Sequence, residues 1–124
     1  MKTSELTGAA LDWAVAKCEY EIARIKIPAF AELHKVRILI YRDGGNLQSG
    51  GVWFGPSADW SQGGPIIERE RIGVIPLRLD WMARFNVDDP RDAFEYGPTP
   101  LIAAMRCYVA SKLGDTIDIP EELA

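Results

Sequence analysis

The sequence predicts an α+β domain, a mainly antiparallel sheet with an N-terminal and a C-terminal helix packed on one face. Three observations predict it. Helical periodicity appears near both ends of the chain with strand-like patterns between them, the order of an α+β fold. The clearest strand patterns alternate apolar and polar residues, as an antiparallel sheet with one wet face requires. The 124 residues are 48% apolar and 26% charged, with no repeat or linker, so residues 1–124 fit one globular domain large enough to bury a core without staples.

Thr7 to Cys18 reads as the first helix. Leu11, Ala14, Val15 and Cys18 fall at i, i+3, i+4 and i+7 and make one apolar stripe, which leaves Asp12 and Lys17 to face water. Thr7 is its N-cap, with Thr3 as a rival start. Trp13 lies off the stripe, packed at the core edge or marking a contact surface. Tyr20 to Ile27 alternates as a strand, and Pro28 ends it. Ala29 to Lys35 is ambiguous. It holds His34, the single histidine, which has no nucleophile or acid at a catalytic spacing and reads as a surface or structural residue.

Val36 to Arg42 is the clearest strand, β-branched and expected to be central. Asp43 to Gly51 contains four glycines, and Val52-Trp53-Phe54 returns beyond it as the second strand of a hairpin. A glycine-rich loop can cradle phosphates, but this one lacks a Gly-Lys-Ser/Thr ending and a following helix. A hairpin loop is the simpler reading.

Asp59 to Glu70 reads Asp-Trp-Ser-Gln-Gly-Gly-Pro-Ile-Ile-Glu-Arg-Glu, with neither helix nor strand periodicity. It is the candidate site. Ser57 or Asp59 can start a turn, Trp60 can stack on a planar ring, Gln62 can read an amide edge, and backbone N–H groups exposed at the turn through Gly63-Gly64 can meet an anion or carbonyl. The plainer alternative is a structured loop whose tryptophan plugs the core and whose Asp59 and Ser61 cap turns. Ile66 to Arg71 is expected to enter a strand, with Glu68 and Glu70 on one face about 7 Å apart and Arg69 and Arg71 on the other. Paired carboxylates can do acid/base work, whereas cross-strand ion pairing is the simpler role.

Leu77 to Phe85 alternates as a half-buried strand, and Asn86 to Gly97 is acidic and loop-like, with Asp89-Pro90 opening a short helical turn. The last helix has the best signals: Thr99 as N-cap, Pro100 at the first position, a core stripe of Ile102, Met105, Val109 and Leu113, and Gly114 at the stop. Arg106 borders that stripe and can reach water or a site. Ile117 to Leu123 is expected to dock as a short edge strand. The ligand-binding candidates are therefore Asp59, Trp60, Ser61, Gln62, Gly63, Gly64, Glu68 and Arg106.

Residues 86–124 carry three basic and eight acidic side chains, a balance of −5, against +1 for the first 85. An acidic C-terminal third repels phosphate, so nucleic acid is a poor partner. Cys18 and Cys107 lie far apart among apolar neighbours, as reduced buried thiols do, and no zinc-ligand spacing exists. No cofactor and no metal is expected. The longest apolar runs fall far short of a membrane span, and the polar start Met1-Lys2-Thr3-Ser4-Glu5 leads into no signal-peptide segment, so the expected location is the cytoplasm.

Three blocks of the chain carry a resemblance. They are Lys2-Thr3-Ser4-Glu5-Leu6-Thr7-Gly8-Ala9-Ala10-Leu11-Asp12-Trp13-Ala14-Val15-Ala16, then Pro56-Ser57 with Asp59 to Glu68, then Thr99 to Arg106 with Leu113-Gly114-Asp115. Together they resemble the NinX-like proteins of lambdoid phages and prophages. The resemblance implies a small accessory protein acting in the bacterial cytoplasm, and brings no catalytic residues with it.

The leading functional reading is a non-catalytic domain that binds a small nucleotide-like ligand or a host factor through the 59–70 stretch. The first alternative is a small hydrolase or nucleotide-processing enzyme using Glu68, Glu70 or Asp59, with Arg106 steering an anion. The second is an oligomeric assembly protein that buries Trp13, Trp53, Trp60 and Trp81 between copies.

Overall fold

Thr99 does what its position predicts: its hydroxyl accepts the Ile102 N–H at 3.1 Å and starts a helix over Pro100–Leu113. Pro100 stands where no N–H is needed, and Gly114, at φ +88°, takes the turn out of the helix in a backbone region that L side chains rarely enter. The computed structural model describes residues 1–28, 37–41 and 51–124.

The first helix, α1, spans Gly8–Glu19 with Thr7 at its cap position. Ala10 to Ala16 are all buried, so the expected stripe widens until the helix is enclosed. Asp12, expected in water, is buried with them. Trp13 is buried as well.

Two antiparallel sheets follow. In the first, β2 (Ile38–Tyr41) lies between β1 (Ile25–Lys26) and β3 (Gly51–Phe54), central as its β-branched sequence predicts. The hairpin partner expected at Val52-Trp53-Phe54 is β3, with Ile38 opposite Phe54 and Tyr41 opposite Gly51. The strand expected over Tyr20–Ile27 shrinks to Ile25-Lys26. Ile22–Arg24 form a 3-10 turn in which the Arg24 N–H donates to the Glu21 carbonyl at 2.9 Å, so a local bond replaces the sheet ladder. The segment with His34, and the glycine-rich loop up to Gly50, lie outside the described residues.

After α2 (Trp60–Glu70), the second sheet has the order β4 (Gly73–Pro76), β5 (Trp81–Arg84), β6 (Phe94–Gly97). The strand expected over Leu77–Phe85 therefore begins only at Trp81. Leu77 to Asp80 reverse the chain instead, closed by the Leu77 N–H on the Asp80 carbonyl at 2.8 Å. The acidic segment expected to be a loop ends in β6, and an Asn86–Asp89 turn replaces the helical turn at Asp89-Pro90.

The C-terminal helix, α3, Pro100–Leu113, organises the packing. It covers one face of the β4–β5–β6 sheet, meets α1 on another side, and carries α2 beside it; α1 in turn packs on β1 and β2. The fold class is as expected, α+β with antiparallel strands, but the strands divide into two sheets with helices between them. Ala103 to Val109 are buried without interruption. Arg106 is among them, its Nε donating to the Leu6 carbonyl and a terminal nitrogen to the Tyr96 carbonyl, both at 2.8 Å. The tail makes a single bridge, Lys2 to Thr116, rather than an edge strand, and Thr3 hydroxyl donates to the Gly114 carbonyl at 2.7 Å. Among the described residues no helix is long and apolar enough to cross a membrane.

Candidate functional site

The stretch from Asp59 to Glu70, expected as a loop running into a strand, is helix α2. Asp59 caps it, accepting the Ser61 N–H at 2.9 Å and the Ser61 hydroxyl at 2.6 Å. The Gly63 N–H donates to the Asp59 carbonyl at 2.9 Å, so the amides expected to be free for an anion are used by the helix. Gly63 and Ile66 are buried, Ile67 and Glu70 half-buried, while Ser61, Pro65, Glu68 and Arg69 are exposed; this is helical spacing of one inward face. Pro65 has no N–H, so the Ser61 carbonyl loses its intrahelical donor, and Arg71 closes the helix in the left-handed region at φ 57°. On a helix, Glu68 and Glu70 point roughly 200° apart around the axis and cannot act as a strand-borne pair.

Each candidate residue now has a place. Gln62 joins α2 to the end of β3: its Nε2 donates to the Trp53 carbonyl and its Oε1 accepts the Gly55 N–H, both at 2.7 Å. Gly63 permits a close approach, because a Cβ there would lie 2.5 Å from the Pro56 carbonyl oxygen and 2.6 Å from a Leu101 methyl. Gly64 is under no such constraint, with Trp60 the nearest group at 3.9 Å. Trp60 is 56% exposed and does not plug the core. Glu68 is exposed two turns along α2, and the buried Arg106 is occupied by backbone carbonyls from the chain start and β6, so neither lines the cleft beside Asp59.

That cleft, about 630 Å³, opens between α1, the end of β3 and the first turn of α2. Asp59 and Gln62 line it together with three residues the sequence reading placed elsewhere or passed over: Asp12, Arg37 and Trp53. The Arg37 guanidinium lies over the half-buried Trp53 ring, 4.5 Å from its centroid. The Asp12 carboxylate accepts the Ser57 N–H at 2.9 Å, and burial raises its pKa despite the hydrogen bonds from Ser57 that pull the other way. A buried carboxyl facing a cleft is a functional signal, and here it was hidden in a helix whose stripe assigned Asp12 to water.

A second group of ionised residues runs along the other end of α2. The Arg69 guanidinium grips both Glu19 oxygens at 2.9 Å and donates its Nε to Glu70 at 2.8 Å; Arg91 reaches Glu70 at 2.8 Å and Asp89 at 2.7 Å. The Tyr108 hydroxyl adds a bond to Glu19 at 2.8 Å. Arg69 and Arg91 hold the Glu70 carboxyl below its ordinary pKa, and Arg91 holds Asp89 down to about 2. Two arginines and three carboxylates engage one another here, as in a structural clasp. Cys18 and Cys107 are unlinked, and burial pushes both thiols up to about 12, as inert thiols require.

Among the described residues, no three His, Cys, Asp or Glu side chains gather as a metal site. Of the four tryptophans, only Trp60 is exposed; Trp13 is buried and Trp53 and Trp81 are half-buried. Compared with protein-family models, the chain matches the one described as Bacteriophage P22, NinX over residues 2–112. None of the curated proteins compared with the chain matches it.

Proposed function

We propose, from the premise that the chain belongs to the bacteriophage P22 NinX family, that residues 1–124 act as one phage accessory domain that binds rather than catalyses. Its site is the cleft beside the start of α2, and its ligand is a small planar, nucleobase-like molecule. The observation that carries this reading is the combination of the Arg37–Trp53 stack with the buried Asp12 carboxyl in one cleft of about 630 Å³. A cleft of that size fits a small ligand, since such pockets run from roughly 300 to 1,000 Å³. A ring stacks on the outer plane of the guanidinium, and an N–H edge meets Asp12.

The phosphates of a nucleotide are not what this cleft selects. Asp12 and Asp59 oppose a second negative charge there, and the first amides of α2 are already spent on Asp59. Trp60, next in the chain to Asp59, offers an exposed ring at the same helix end. A host protein inserting a flat side chain into the cleft uses the same chemistry. Catalysis by Glu70 is disfavoured because two arginines hold its carboxyl ionised, the state of an ion-pair partner rather than of a general acid.

Native mass spectrometry of protein purified gently from host cells, before and after phage induction, tests this reading. The expected spectrum carries a stoichiometric small extra mass, absent from Arg37→Ala and Trp60→Ala variants that fold normally. A bare chain mass in both states, with no heat of binding to a panel of bases, nucleosides and nucleotides, overturns it.

A further inference from the structure

An antiparallel sheet that packs a helix on one face usually turns a polar face to water. The β4–β5–β6 sheet does not. Val74, Trp81, Ala83 and Gly97 line its inner side against the core, Gly97 so close to α3 that a Cβ would lie 2.7 Å from the Ala103 nitrogen. Residues of the opposite parity point outward. Ile75, Met82 and Tyr96 stand in one register row, with Gly73, Arg84 and Phe94 in the next. Phe94 is 57% exposed and Tyr96 46%, and their rings meet edge to face with centroids 6.1 Å apart. Exposed apolar residues continue past the strands at both ends of the sheet, Leu77 and Leu79 in the β4–β5 hairpin and Val87 after β5.

We propose that this outer face is where a second copy of the chain docks. Two observations favour a copy over an unrelated partner. The first is area. Taking exposed side chains on the scale of roughly 150–250 Å² for an aromatic, the exposed Ile75, Leu77, Leu79, Val87, Phe94 and Tyr96 leave on the order of 600 Å² uncovered, at the top of what monomers show and close to the ~800 Å² each partner gives a standard interface once a polar rim is added.

The second is charge. Arg78 and Asp80 balance at the hairpin end, and Arg71 and Arg84 balance Asp88 and Asp92 at the other, although the whole chain carries −4. The charges named at the two ends of this face cancel, so the chain's −4 is carried by its other residues. A twofold contact turned end for end brings Arg78 and Asp80 of each copy to the end of the other that carries Arg71, Arg84, Asp88 and Asp92, so any arginine–aspartate pairing made once is made twice, whereas an unrelated protein needs a separately matched pattern. Arg84 suits this role: it is exposed, and its Nε donates only a long 3.3 Å bond to the Phe85 carbonyl.

The inference is independent of the cleft at α2, and sedimentation velocity of the full chain across the micromolar range tests it. A dimer is expected, shifted at least tenfold toward monomer by Leu79→Lys and by Phe94→Glu while circular dichroism stays unchanged. Leu79 is 91% exposed, so its replacement leaves the core untouched and keeps the test sound if Phe94→Glu folds poorly. A monomer at every concentration overturns the proposal, as does a dimer that folded Leu79→Lys and Val87→Lys proteins form undiminished. A monomer that captures a different protein through this face overturns it too.

Discussion

The Asp12 carboxylate accepts the Ser57 backbone N–H at 2.9 Å across 45 residues of chain, tying the middle of α1 to the turn that launches α2. One bond thereby sets both the wall and the floor of the candidate cleft. Ser57 is itself buried, so removing the acceptor leaves a backbone N–H without its partner.

That bond predicts an unusual pH dependence. Burial penalises ionised Asp12, so the folded state keeps a proton that the unfolded chain has already lost. The stability this contributes is complete below the ordinary value of 3.8 and is lost as pH rises through the higher folded value. Asp12→Asn keeps an acceptor for Ser57 and abolishes the titration. Its melting temperature is therefore expected to gain on the unsubstituted protein as pH climbs through that window. Parallel thermal melts at a series of pH values read the difference, and a constant offset refutes the assignment.

Two adjacent glycines of α2 respond in opposite directions. Gly63→Ala drives a Cβ to 2.5 Å from the Pro56 carbonyl oxygen, a backbone atom with little freedom to yield. It costs about 1–3 kcal/mol, the range of an overpacked core. Gly64→Ala meets only the Trp60 ring at 3.9 Å, and it stabilises by roughly 0.5–1 kcal/mol by restricting the unfolded chain. Urea unfolding of the two variants distinguishes them. Equal effects would mean that the contact of Gly63 with Pro56 and Leu101 is not tight.

The same helix shows what the sequence conceals. Gly63, Gly64 and Pro65 are poor helix formers, and they outweighed two true signals: Asp59 and Gln62 stand at N-cap and N3 spacing, and Gly63, Ile66, Ile67 and Glu70 fall at i, i+3, i+4 and i+7. Helix α3 was readable because its cap, proline and terminal glycine are local features. Central β2 was readable from its β-branched run. By contrast, the cleft joins Asp12 to Arg37, Trp53 and Asp59, and the clasp joins Glu19 to Arg69, 50 residues on. No periodicity carries pairings at such separations; they appear only when tertiary packing sets helix against helix. Asp12 shows the limit most directly, since a stripe assigns a polar residue to water without knowing that a turn amide waits behind it.

Gln62 was a candidate reader of an amide edge, and its own amide already reads one, the backbone between Trp53 and Gly55. Gln62→Ala removes a donor and an acceptor from part-buried backbone groups and is expected to cost about 1–3 kcal/mol. Gln62→Glu costs more, because a carboxylate oxygen then faces the Trp53 carbonyl where an N–H had donated. Chemical denaturation orders the three proteins. If Gln62→Ala lost binding with unchanged stability, the side chain would be reaching the ligand and not the strand.

The clasp at the far end of α2 has the opposite pH sign to Asp12. Arg69 and Arg91 favour ionised Glu70, so its contribution is present above the ordinary value of 4.5 and is lost as pH falls through the lower folded value. Glu70→Gln is expected to lower stability at neutral pH and to flatten the decline on the acid side. Tyr108→Phe provides the comparison. It deletes the hydroxyl that donates to Glu19 at 2.8 Å, costs about 1 kcal/mol and leaves the acid-side slope as it was, because no carboxylate is removed. Denaturation midpoints followed from neutral pH downward separate the two, and matching slopes in Glu70→Gln and the unsubstituted protein would show that these ion pairs contribute no net stability. The two carboxyls therefore divide the fold: Asp12 favours the acid form at the cleft, and Glu70 favours the neutral-pH form at the clasp.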